Sequence, residues 1–113
     1  MAISVEATRT LMATYYSTLV THLSAHTASP STTGANEMSG TGYARGAITW
    51  GTAATSAITG TATIDIVNTG GTLTHVGGWS ALTSGSFRDG FDVTDIVYPG
   101  DGTAVVSITY TQT

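Results

Sequence analysis

The chain has 113 residues, only 9% of them charged, and its three basic residues, Arg9, Arg45 and Arg88, are all arginines. With no lysine there is no P-loop, and with no basic cluster there is no surface for direct nucleic-acid binding. With no cysteine there are neither disulfides nor thiolate metal sites. A 41% hydrophobic fraction beside a formal net charge of −4 describes a folded chain, and the length suits one domain, residues 1–113.

The first element is a helix over about residues 4–26. Leu11, Met12, Tyr15, Tyr16, Leu19, Val20 and Leu23 recur at three- and four-residue steps. Ser4 is the expected N-cap, and Glu6 suits the positive end of the helix dipole. Many of the remaining positions are threonine, a poor helix former, so this helix needs tertiary contacts to persist. Residues 27–42 lack any apolar period and carry Pro30, Gly34, Asn36, Gly40 and Gly42, which marks an extended loop. It is long for an internal connection, so a covering arm laid on a neighbouring subunit is one expected use.

Beyond residue 42 the period becomes two. In Tyr43–Trp50, Ala44, Ile48 and Trp50 share one face, and Tyr43, Arg45 and Thr49 share the other. Thr61–Val67 and Thr72–Trp79 alternate likewise, joined by the turn residues Asn68-Thr69-Gly70-Gly71. Phe87–Val93, Asp95–Tyr98 and Thr103–Thr111 follow, the last two separated by Pro99-Gly100-Asp101-Gly102. The expected fold is mainly β: a β-sandwich or jelly-roll-like domain over about residues 43–113, with one N-terminal helix and a long loop.

No residue constellation points to catalysis. His22 and His26 stand four apart, a spacing that can place two metal ligands on one helix face, but Leu23 occupies the position where a zincin needs glutamate. Asp89, Asp92, Asp95 and Asp101 do not follow a calcium-loop spacing and read as solvated edge acids. Gly78-Trp79-Ser80-Ala81-Leu82 does not complete a nucleophile elbow. No enzyme activity, metal or cofactor is expected. Glu37 and Arg45 lie across the loop-to-strand junction, where a charge-assisted bond would pin the loop to the sheet. Trp50 and Trp79 each end an alternating strand and read as core residues; exposed, they would be interface anchors. The apolar runs are too short to span a bilayer. No secretory leader is apparent, so the expectation is a protein made and used in a cytoplasm, or one that leaves it inside an assembly.

Three stretches go beyond composition. They are His22-Leu23-Ser24-Ala25-His26-Thr27-Ala28-Ser29-Pro30, then Thr33-Gly34-Ala35-Asn36-Glu37, then Gly42-Tyr43-Ala44-Arg45-Gly46-Ala47-Ile48-Thr49-Trp50. Together with Thr74-His75-Val76-Gly77-Gly78-Trp79, their order resembles a family of short tailed-phage virion proteins often labelled tail fibre proteins. Ala25, Ser29 and Ser31 depart from that pattern. The resemblance implies a structural protein of the virion whose partners are other virion proteins.

A fibre needs a long shaft, often built from repeats, and this chain has none. A low-charge surface tolerates being covered by neighbours. The leading expectation is therefore a capsid decoration or cement subunit, a homo-oligomer such as a trimer, seated on the major capsid protein. The alternatives are a tail component, either fibre-associated or a tip adaptor, and a glycan-binding module that uses Tyr43, Trp50 or Trp79 as stacking platforms.

Overall fold

The computed structural model describes residues 2–113. Its elements in chain order are α1 (Glu6–Leu19), β1 (His22–His26), β2 (Gly46–Ala47), β3 (Thr49–Trp50), β4 (Ala57–Ile66), β5 (Gly71–Trp79), β6 (Phe87–Tyr98) and β7 (Gly102–Thr111). They form two antiparallel sheets, β2-β1-β5-β6 and β3-β4-β7, packed as a β-sandwich-like fold. Leu23 and Ala25 of β1, Leu73 and Val76 of β5, Ala62, Ile64 and Ile66 of β4, and Ala104, Val106 and Ile108 of β7 fill the space between them. Strict alternation in β4 and β7 sends every second side chain into this core.

The helix is shorter than its apolar spacing predicts. It stops at Leu19, and Val20 turns extended while its N–H still bonds to the Tyr16 carbonyl. Val20 is fully buried, and residues 22–26 form β1 instead of a last helical turn. A strand at this point pairs with both β2 and β5, and those ladders outweigh the weak helix preference of a Thr-rich segment. Val5, not Ser4, is the N-cap, and its side chain makes no capping bond. Arg9 ties the start of the helix down by donating to the Ser56 hydroxyl at 2.8 Å and to the Ile3 carbonyl. The one-residue hydroxyls on the helix, Thr14, Ser17 and Thr18, bond back to its own carbonyls.

The expected strand over residues 43–50 is two short strands in different sheets. Gly46–Ala47 pairs with β1 and Thr49–Trp50 with β4, so the chain crosses the sandwich at Ile48, whose N–H bonds to the Thr21 carbonyl. Conversely, Phe87–Val93 and Asp95–Tyr98 are one twelve-residue strand. At roughly 3.3 Å per residue it spans about 40 Å, consistent with a body of 47 × 25 × 24 Å.

Candidate functional site

The loop of residues 27–42 does not reach outward. It folds back on β1, with Met38 N–H bonded to the Ala25 carbonyl, Thr27 N–H to the Asn36 carbonyl, and His26 bridged to Glu37. Both faces of β1 are thereby covered: Leu23 and Ala25 face the core, while Ser24 and His26 are buried beneath the loop.

Arg45 holds this arrangement together. Its Nε donates to Glu37 Oε2 at 2.9 Å and its Nη2 to Glu37 Oε1 at 3.0 Å, a bidentate pair. Its Nη1 donates to the carbonyls of Ala81 and Ser84 at 3.1 and 2.9 Å. Four of the five guanidinium N–H groups are thus used. The guanidinium carbon lies 3.7 Å from the centroid of the Trp79 ring, in cation–π geometry. Tyr43 completes the cluster: its hydroxyl donates to Glu37 Oε2 at 2.9 Å and accepts the Ala25 N–H at 3.0 Å. Burial, followed by the neighbouring Glu37 carboxylate, pushes the Tyr43 phenol above its ordinary pKa. The clamp therefore joins the loop, the 43–47 segment, the end of β5 and the β5–β6 connection.

Beneath it runs a second chain of bonds. Trp79 Nε1 donates to Ser24 Oγ at 2.7 Å, and Ser24 Oγ lies 2.6 Å from His26 Nε2. His26 Nδ1 is 2.7 Å from the Ala35 carbonyl, which can only accept, so the proton resides on Nδ1. Nε2 is then an acceptor, and Ser24 donates to it. Burial lowers the His26 pKa and keeps the ring neutral. This is a serine within reach of a histidine, yet both are fully buried and Oγ already accepts the Trp79 N–H. No substrate can approach, so the pair is structural. Two glycines make room for it. A Cβ at Gly77 would lie 2.6 Å from Ser24 Oγ and 2.7 Å from His26 Nε2. Gly34, at φ +78°, passes so near Trp79 that a Cβ would meet the indole.

Trp50 is not part of this cluster. Its Nε1 donates to the Val20 carbonyl at 2.8 Å, and its ring meets Tyr16 edge-on. Tyr16 in turn stacks on Tyr110 and donates to Asp89 Oδ2 at 2.6 Å. Both tryptophans are half-buried, not fully in the core. Tyr43, Trp50 and Trp79 are each engaged within the fold, which removes them as ready stacking platforms. The five residues singled out in the sequence thus divide into the clamp (Glu37, Tyr43, Arg45, Trp79) and a separate anchor of the helix (Trp50). Sequence reasoning did not find Ser24, His26 or Gly77 as parts of one network, because a segment read as helix hides which strand neighbours it will have. The helix-face metal pair is also lost: His22 and His26 sit on a strand, and His26 is enclosed. Among the described residues, no group of three or more His, Cys, Asp or Glu is placed to hold a metal ion. An open cleft of about 390 Å³ lies beside the clamp, lined by Glu37, Met38, Tyr43, Arg45, Leu82 and Ser84.

The motifs that carry the phage resemblance converge here. Gly34 and Glu37, Tyr43 and Arg45, Gly77 and Trp79, and His26 come from four separate stretches and build a single cluster. A model of the family described as podophage GP4 fiber I protein gp80 matches residues 7–110. No curated protein and no solved structure matches the chain. The family match agrees with the tail-fibre resemblance and overturns the expectation of a capsid decoration subunit seated on the major capsid protein. That expectation leaned on the missing shaft, but a fibre assembled from several chains does not require each chain to contain one.

Proposed function

Because the chain belongs to the family described as podophage GP4 fiber I protein gp80, we propose that it is a structural subunit of a phage tail fibre, with other tail proteins of the virion as its partners. The observation that carries this reading is the extent of the match, residues 7–110, which covers the helix, both sheets and nearly all of β7. The geometry supports a structural role. The polar groups of the clamp spend their hydrogen bonds on one another, and no buried side-chain nitrogen or oxygen among the described residues lacks a partner. The cluster fixes a loop that would otherwise be free, giving a stiff module suited to holding orientation within an extended appendage. The two sheets share one core, and residues 1–113 act as one folding unit in this reading; a single cooperative unfolding transition tests that point.

Gold-labelled antibody against the protein, applied to purified particles, tests the placement. The expected label lies on the tail appendages, in far fewer copies than the shell subunits. Uniform labelling of the capsid shell would refute the fibre reading.

A further inference from the structure

Residues 27–36 form a loop closed on itself. Thr27 N–H bonds to the Asn36 carbonyl at its base, the build of an Ω-loop. Its other bonds are internal: the N–H groups of Gly34 and Ala35 meet the Pro30 carbonyl, and the Asn36 amide donates to the Ser29 carbonyl. Little of it is seated on the body. Pro30 is buried over Gly90 and Gly34 is half-buried against Trp79 and Phe87, while the rest is exposed. Among the described residues, the hydrogen bond that ties the interior of this loop to the sheet is the one from His26 Nδ1 to the Ala35 carbonyl. A segment with its own internal bonds and few buried apolar contacts opens at low cost.

The residue beneath it sits in a charged rung. Glu37 bridges His26 on one side, His75 stands opposite His26 in the β1–β5 ladder, and Asp92 stands opposite His75 in the β5–β6 ladder. His75 Nε2 has the Asp92 carboxylate 3.8 Å away. His26 has no such counter-charge, because Glu37 is spent on the Arg45 guanidinium and the Tyr43 hydroxyl. A proton on His26 would add a positive charge beside Arg45 and His75 in a fully buried place. It would also turn Nε2 into a donor, and Ser24 would have to redirect its proton to the Gly77 carbonyl, 3.3 Å away and a poorer bond. Lifting the loop returns the charged ring to water.

We propose that the 27–36 loop is an acid-released lid: a proton taken up by His26 lifts it from the sheet and uncovers Trp79 and Phe87. At neutral pH the lid is shut and Gly34 covers the indole. In acid, the aromatic surface that the closed fold hides becomes accessible while the core between the sheets stays intact. Burial holds the closed-state ring neutral. Below the ordinary pKa of about 6.5 and above the closed-state value, the opening constant therefore grows about tenfold per pH unit. The inference rests on the geometry of the loop and is independent of the fibre assignment.

Nuclear magnetic resonance of the full chain between pH 7.5 and pH 5 tests the lid. Cross-relaxation between Pro30 and Gly90 and between Gly34 and the Trp79 ring should fade as the His26 imidazole titrates, with the β4 and β7 amides still protected. Water exchange of the Trp79 indole N–H, taken as a ratio to that of Trp50 so that the intrinsic pH dependence cancels, should rise about tenfold per pH unit. His26→Gln keeps an uncharged donor for the Ala35 carbonyl and should hold the lid shut across the range; the wild-type titration decides alone if that variant does not fold. Cross-relaxation that persists after His26 has titrated overturns the proposal. So does its loss only together with protection of β4 and β7, which is global unfolding. A response that survives His26→Gln and disappears in His75→Gln also overturns it, and assigns the proton to His75.

Discussion

Replacing Arg45 with alanine removes the centre of the clamp and leaves the fold otherwise intact. Losing one partner of a buried ion pair costs about 3–5 kcal/mol. Arg45 fits that description, with its side chain 9% exposed, but Glu37 is 22% exposed and regains some hydration when abandoned. It also keeps the Tyr43 hydroxyl as a donor. The electrostatic part is therefore discounted to about 1–2 kcal/mol. Loss of the guanidinium from the Trp79 ring adds about 0.5–1 kcal/mol. The expected total is about 1.5–3 kcal/mol, or a fall in Tm on the order of 10 °C for a domain of this size. Thermal and urea denaturation of wild type, Arg45→Ala, Glu37→Ala and the double variant measure it. The cycle should return a coupling energy above about 1 kcal/mol. Arg45→Lys should recover little, since an ammonium cannot make the fork to Glu37 or stack on the indole in the same way. A loss under about 0.5 kcal/mol with no coupling would show that the pair behaves as an ordinary surface bridge, and the clamp argument would fail.

Gly77→Ala drives a Cβ into Ser24 and His26 and should destabilise the protein by about 1–3 kcal/mol through overpacking; an unchanged denaturation midpoint would show that the network yields at no cost. Ser24→Ala strands the Trp79 N–H and His26 Nε2 and should cost about 1–3 kcal/mol, read from the same curves. The lowered pKa of buried His26 sets a pH dependence. The unfolded chain takes up a proton near the ordinary pKa of about 6.5 and the folded chain only at lower pH, so stability present above that value is lost as pH falls below it. Denaturation midpoints that stay level between about pH 7.5 and pH 5 would contradict this. Tyr16→Phe loses the bond to Asp89 but keeps the stack on Tyr110, for about 1–2 kcal/mol. Burial and then Asp89 raise the Tyr16 pKa, so the wild type should lose stability as pH rises above about 10, and the variant should lose less.

The mainly-β fold with one leading helix is legible because alternation in β4 and β7 tracks burial directly: Ala62, Ile64 and Ile66 face in while Thr61, Thr63 and Asp65 face out. In β5 it does not, because the ladder shifts register between Leu73 and His75 and puts Val76, not His75, in the core with Leu73. The Glu37–Arg45 bond is legible too, since a chain with so few charges leaves each one few partners. The helix end is not. Leu19, Val20 and Leu23 keep a helical spacing, and a short apolar run cannot distinguish a buried strand from another helical turn. That single misreading conceals the rest of the site, because Ser24 and His26 become neighbours of Gly77 and Trp79 only through the β1–β5 ladder. The crossing at Ile48 is equally silent: alternation persists through it, although the partner strand changes from β1 to β4.

The clamp also redirects where recognition is to be sought. Residues that make the chain resemble its family are occupied in holding their own fold, in a buried polar cluster where each unmade bond costs about 1–3 kcal/mol. A partner reads the surface that remains. On the outer face of the three-stranded sheet that surface is Thr59, Thr61 and Thr63 beside Thr103, Val105, Ser107, Thr109 and Thr111, all exposed. Two of its rungs are already closed by hydroxyl bonds, Thr59 to Thr109 and Thr61 to Ser107. These side chains, short and mostly β-branched, lose little rotamer freedom when covered, and only Asp65, beside Thr103 at one end of the ladder, brings a charge to desolvate. Such a face favours association with flat, regular neighbours over capture of a charged ligand.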